Sequence, residues 1–213
     1  MEQLPSNALF TSITHYVLEA FREYGLQWND KIELLRRLPE LRVLRLLSIR
    51  TRRPFKTWGK FSNDTIIAML SNAPNVQKLV LDYGSNPKFG DDIVPQTGLA
   101  SFTQLRKLEI VGLAFTGSPQ VAAMINTKPV DILPPHLKCL VINLPTAGLC
   151  EWFPHWRRSD FPDLEVIEIR CGRGDSWDIN SRDMALALTT KAASVELFRK
   201  SGLKVKVGEN ASR

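Results

Sequence analysis

The side chains best suited to nucleophilic, acid–base or metal chemistry in this 213-residue chain are three histidines, His15, His136 and His155, and three cysteines, Cys139, Cys150 and Cys171. The histidines fall in different segments, and no helix sets two of them with a carboxylate at the interval by which one face grips a metal ion. Cys150 and His155 lie five apart with Glu151 between them, the residue types of a thiol nucleophile and its base. A working site needs in addition an acid and oxyanion donors, which local spacing does not supply. Gly172-Arg173-Gly174 lacks the third glycine of a dinucleotide loop, and no phosphate-cradling glycine run precedes a Lys-Ser or Lys-Thr pair. Trp152 and Trp156, four apart, read as an apolar helical face rather than a ligand cage. The chain is therefore expected to be non-catalytic, with no cofactor and no metal.

Binding chemistry is better represented. Residues 31 to 60 hold ten basic side chains against Glu33 and Glu40, a local balance of +8 that leaves the other 183 residues at −2. Within this stretch Arg50, Arg52, Arg53 and Lys56 form a basic patch to which an acidic partner would be drawn first. Aromatic support for base stacking is thin, with only Phe55, Trp58 and Phe61 interleaved, so nucleic acid is the weaker alternative to an acidic surface. A solvated rim covering one end of a repeat array accounts for the same charges.

These side chains need elements to position them, and the elements announce themselves by repetition. One phrase with apolar residues at positions one, four and six occurs five times: LRVLRL from Leu41, VQKLVL from Val76, LRKLEI from Leu105, LKCLVI from Leu137 and LEVIEI from Leu164. The steps are 35, 29, 32 and 27 residues. Self-similarity at that period predicts a solenoid, in which each unit buries its apolar face only by stacking on the next. Alternation within a strand sends positions one, four and six inward and leaves three, five and seven on the opposite face. The first outward column is then Val43, Lys78, Lys107, Cys139 and Val166; the second is Arg45, Val80, Glu109, Val141 and Glu168. The third is Leu47, Asp82, Val111, Asn143 and Arg170. An exposed strip of Val43, Leu47, Val80, Val111 and Val141 edged by Arg45, Lys107, Glu109 and Glu168 suits a protein surface better than a polyanion. The residues expected to touch a partner are Arg45, Leu47, Lys78, Val80, Lys107, Glu109, Val141, Glu168 and Arg170.

Between the strands the chain predicts irregular connectors. Asn29-Asp30 caps a helix carrying Ile32, Leu35 and Leu38, which Pro39 stops; Asn63 or Asp64 caps another carrying Ile66, Ile67 and Leu70, which Ala73-Pro74 ends. Residues 84 to 100 read as a long loop, residues 121 to 125 as one or two helical turns, and Pro129, Pro134 and Pro135 as an extended approach to the fourth strand. Cys150 to Arg158 reads as a short aromatic helix. At the front, residues 12 to 24 place Ile13, Val17, Ala20 or Phe21, and Tyr24 on one helical face. At the back, Ser181 caps a helix with Met184, Leu188, Ala192, Val195 and Phe198 on one stripe, followed by an edge strand whose Lys204 and Lys206 point outward. The organisation is one domain: a helical cap over 1–28, five irregular repeats over 29–180, and a C-terminal cap and tail over 181–213.

The repeated phrase resembles the strand core of leucine-rich repeats, and the proline just before the strand (Pro39, Pro74, Pro135 and Pro162) is similar to the irregular repeats of fungal F-box proteins. The ending, a helix leading into Leu197-Phe198-Arg199-Lys200-Ser201-Gly202-Leu203-Lys204-Val205, is similar as well. The resemblance implies an α/β leucine-rich-repeat-like solenoid with a parallel sheet on its concave side. It implies the substrate-recognition part of a ubiquitin ligase subunit, whose F-box would be a helical segment unlike residues 1 to 28. One departure is structural: the ladder position, ninth when the first residue of the phrase is counted as one, holds Ile49, Gly84, Leu113, Pro145 and Gly172 instead of Asn or Cys, so the curvature is expected to be less uniform. The first ten residues lack the basic and apolar regions of a secretory signal, and apolar runs stay far short of a membrane span. With an odd number of cysteines, the expectation is a soluble, intracellular protein, cytoplasmic or nuclear, with reduced thiols.

Overall fold

The computed structural model describes residues 9–19, 28–47, 63–82, 98–112, 128–143, 155–171 and 202–209, with helical positions 192, 193, 196, 199 and 200. Each of the five phrases forms a strand: β2 (Val43–Leu47), β3 (Lys78–Asp82), β4 (Lys107–Val111), β5 (Cys139–Asn143) and β6 (Val166–Cys171). Two more flank them, β1 (His15–Glu19) and β7 (Lys204–Glu209). All seven lie in one parallel sheet in the order of the chain, β1 to β7. The architecture is thus α/β, with a sequentially stacked parallel sheet and few helices. Among the described residues no helix is long and apolar enough to cross a membrane.

Register follows the phrase without a slip. Leu44 pairs with Leu79, Leu79 with Leu108, Leu108 with Leu140 and Leu140 with Ile167. These residues are buried, as are Leu46, Leu81, Ile110, Ile142 and Ile169 two positions on, and together they make the core. A one-residue shift in any strand would turn its leucines out and its charges in, so burial enforces the register. The position-one residues Leu41, Val76, Leu105, Leu137 and Leu164 join the same core.

A repeated turn delivers the chain to that register. The N–H groups of Leu41, Val76, Leu105, Leu137 and Leu164 donate to the carbonyls of Leu38, Ala73, Phe102, Pro134 and Phe161 at 3.0–3.2 Å. Proline occupies the second position of four of these turns, where its fixed φ is already the one required; the third turn has Thr103 instead. Immediately afterwards the carbonyls of Thr14, Arg42, Gln77, Arg106 and Lys138 each accept two N–H groups from the next unit, at 2.8–3.2 Å. The ladder positions Ile49, Gly84, Leu113, Pro145 and Gly172 lie outside the described residues.

The connectors are short where described. Helix α1 (Trp28–Arg36) begins one residue ahead of Asn29-Asp30, and α2 (Asn63–Ser71) begins at Asn63. They are linked by Arg36, whose Nε donates to Asn72 Oδ1 at 2.6 Å. A 3-10 turn, Leu99–Ser101, follows Gly98, and a second, Arg158–Asp160, precedes the fifth phrase. The short helix α3 (Pro129–Ile132) replaces the expected extended approach at Pro129. Proline is well placed in a first helical turn, where no N–H is needed, and Asp131 Oδ2 accepts from the Lys128 N–H at 2.7 Å. Of the helix expected over Cys150 to Arg158, residues 150–154 lie outside the described residues, His155 has 3-10 conformation, and Trp156 and Arg157 are not helical; Trp156 stacks on Phe161 with centroids 4.6 Å apart.

The front of the chain departs from expectation most. Residues 15 to 19 form a strand rather than a helical cap, with Leu18 buried and Val17 exposed. Tyr16 and Leu18 turn toward the core at period two, and the N–H groups of Arg42 and Val43 bind the Thr14 carbonyl. Pairing with β2 outweighs the weak helical periodicity of 12 to 24. At the back, Ala192 is helical but exposed, so it does not lie on the expected buried stripe; Met184, Leu188, Val195 and Phe198 lie outside the described residues, as does the segment 121 to 125.

Candidate functional site

The sheet face turned away from the leucine core carries the three outward columns, and pairing aligns them across the strands. The first column reads His15, Val43, Lys78, Lys107, Cys139, Val166, Lys204; the second reads Val17, Arg45, Val80, Glu109, Val141, Glu168, Lys206. Glu19, Leu47, Asp82, Val111, Asn143, Arg170 and Gly208, the fifth residue of each strand, make the third column. Every residue expected to touch a partner therefore lies on this one face. The additional contributors are His15 and Val17 of β1, which a helical reading of that segment conceals, and the lysines of β7.

Exposure on this face differs from expectation. Val80, Val111 and Val141 are 2%, 4% and 0% exposed, so they form no apolar strip that a partner could touch. The second column explains the pattern in part, since each of these valines but Val111 has a long charged neighbour on both sides: Val80 between Arg45 and Glu109, Val141 between Glu109 and Glu168. The stems of such side chains shield the small residue between them. Val43, Leu47, Lys78, Lys107, Cys139 and Val166 are half-buried, and Lys204 and Lys206 are exposed.

A polar network spans β4 to β6. Arg170 Nη1 donates to Glu109 Oε1 at 3.0 Å and its Nε donates to Glu168 Oε1 at 2.8 Å. Asn143 Nδ2 donates to the same Glu109 oxygen at 3.2 Å. The Arg170–Glu109 pair thus crosses β5, which carries Val141 and Asn143 on the same face. Glu109, at 7% exposure, is the buried charged residue among those described, and it is compensated by this pair. Arg170 holds the Glu168 carboxyl below the usual glutamate range, chiefly through its hydrogen bond, and is itself held more firmly protonated. Burial pushes the Cys139 thiol up, which favours the unreactive protonated form. Arg45 Nε and Asn143 Oδ1 are buried atoms without a hydrogen-bond partner among the described residues.

The other sequence candidates are scattered. His15 contacts Thr14 Oγ1 at 2.9 Å on the first strand, His136 contacts Asp163 Oδ2 at 2.8 Å at the turns before β5 and β6, and His155 is exposed. Cys150 and the side chain of Cys171 lie outside the described residues, and so do Arg50, Arg52, Arg53 and Lys56. Among the described residues no three His, Cys, Asp or Glu side chains converge as metal ligands. Several described cations of the basic segment are already engaged. Arg36 meets Glu33 at 2.8 Å and Arg42 meets Glu40 at 2.9 Å, while Arg37 sits 5.3 Å from the centre of the Phe10 ring.

No family model matches the chain, and no curated protein matches it either.

Proposed function

We propose that this chain is a non-catalytic, leucine-rich-repeat-type scaffold that holds a protein partner against the outward face of its sheet. The observation that supports this most is the in-register alignment of outward side chains over seven parallel strands, with an ion-pair network spanning β4 to β6. Such a face offers fixed charges at regular intervals, which favours recognition of a partner over chemistry on a small substrate. The pre-strand proline turn and the variable connectors support the repeat type.

Affinity capture from cell extract tests the reading. The wild-type chain and a Lys200→Glu control, altered away from the sheet, should retain one set of proteins, and a Lys107→Glu/Lys206→Glu chain should lose it. Retention of that set by the doubly reversed chain would reject the outward face as the binding surface.

The finer assignment is to the substrate-selecting part of an F-box-type ubiquitin ligase. It requires adaptor-docking helices elsewhere in the same polypeptide or in a tightly bound second one. Co-purification of a ligase adaptor with the natural protein is the expected result; its consistent absence would remove the ligase role and leave the scaffold. The competing reading, an acidic surface bound by residues 31 to 60, draws less support because Arg36, Arg37 and Arg42 have local partners.

A further inference from the structure

We infer that the partner segment held by this face is an extended peptide running across the strands along the first column, with acidic residues at its first and fifth positions and an apolar residue at its third. The inference deepens the scaffold reading and rests on it.

The charge on the face is not symmetric along the strands. The first column contains Lys78, Lys107 and Lys204 and no acidic residue from β1 to β7. Acidic side chains begin one step further along, in the second column. There Glu109 and Glu168 are both bonded to Arg170, which offsets one of their two charges, and Glu168 also feels the charges of Lys107 and Lys206. Among the carboxylates whose side chains are described, none comes within ion-pair distance of Lys107, Lys204 or Lys206. Lys107, Lys204 and Lys206 outnumber the one acidic charge that Arg170 leaves over, so the face attracts carboxylates and repels a basic segment.

Spacing then selects the pattern. From Lys107 the first column passes through Cys139 and Val166 to Lys204, each directly paired with the next. Three strand spacings of about 4.8 Å set Lys107 and Lys204 roughly 14 Å apart at the backbone. In an extended peptide, with a rise of about 3.4 Å per residue, positions one and five are separated by roughly 13.6 Å and face the same way. Position three then falls midway, over half-buried Cys139 and Val166, the two uncharged residues between the lysines. Lys206 beside Lys204 thickens the positive charge at one end.

The probe is a fluorescein-labelled Gly-Ser-flanked peptide with the core Glu-Thr-Val-Thr-Glu, whose β-branched residues favour extension. Anisotropy with the full chain should show saturable binding, weakened about tenfold or more by Lys107→Glu or Lys204→Glu and little changed by Lys200→Glu. Lys107→Met, which keeps the stem, should weaken it less than Lys107→Glu, and circular dichroism confirms that each variant folds. A core with glutamates at positions one and two should bind more weakly than the original. Equal affinity for the two cores, or unchanged affinity in both lysine reversals, would overturn the inference. So would tighter, equally lysine-dependent binding of an oligothymidine strand, which would point to a polyanion. Selection from a library randomised at the five positions separates the two levels. Enrichment of acid–apolar–acid supports the inference, while enrichment of neutral or basic peptides that still need the face overturns the acidic class and leaves the scaffold. Enrichment of nothing overturns both.

Discussion

Glu109 shows how a single residue couples the face to the fold. Its column position is plain from the repeat, but its burial and its bond to Arg170, 61 residues away, are not. Removing Arg170 leaves a buried carboxylate without its cation, so Arg170→Leu should lower unfolding free energy by about 3 kcal/mol in urea titrations. Adding Glu109→Leu should restore most of that loss, because the apolar pair needs no compensation. The neighbouring Glu168 adds a pH dependence of defined sign. Its folded-state pKa is depressed by Arg170, so its contribution is fully present above the ordinary glutamate range. That contribution is lost as pH falls through the depressed value. Stability should decline on the acid side in the wild type, and the Glu168→Gln chain should show a shallower decline as pH falls below the ordinary glutamate range. Identical acid profiles would mean that the Glu168–Arg170 bond does not contribute to folding.

Turns and strands carry different amounts of readable information. The pre-strand turn is legible because proline marks it, and its hydrogen bond recurs in all five phrases. Thr103 is the exception, and the residue before it, Phe102, has φ −92° and ψ 81°, outside the helical region like Phe161 at φ −134° and ψ 68°, which precedes Pro162. A proline at position 103 therefore meets a backbone already suited to it. Thr103→Pro should stabilise the chain by about 0.5–1 kcal/mol by restricting the unfolded state, measurable as a higher denaturation midpoint with unchanged slope. A lower midpoint would show that the third turn differs from the others. The front segment was less legible, since His15 to Glu19 offers five residues whose alternation competes with a helical stripe. Only a neighbouring strand decides between the two.

At the scale of the whole molecule, the sheet is a one-dimensional stack in which every strand but the first and last is paired on both sides. Hydrogen exchange should therefore be slowest in β3 to β5 and fastest in β1 and β7, whose outer edges pair with none of the described strands. Leu108→Ala, at the centre of the core, should cost about 3 kcal/mol and accelerate exchange in β3, β4 and β5 together. Acceleration confined to β4 would contradict nearest-neighbour coupling. The sequence by itself determined the parallel register, the inward leucines and the three outward columns, because periodic burial of identical residue types permits one alignment and penalises every shifted one. It could not determine which outward residues stay accessible. Val80 and Val141 alternate outward like their neighbours and yet are buried, with charged side chains from adjacent strands standing beside them. Nor could it foresee that β1 belongs to the sheet or that Arg170 crosses β5 to Glu109. Those features depend on contacts between residues far apart in the chain, which the fold brings within a few ångströms and the repeat does not encode.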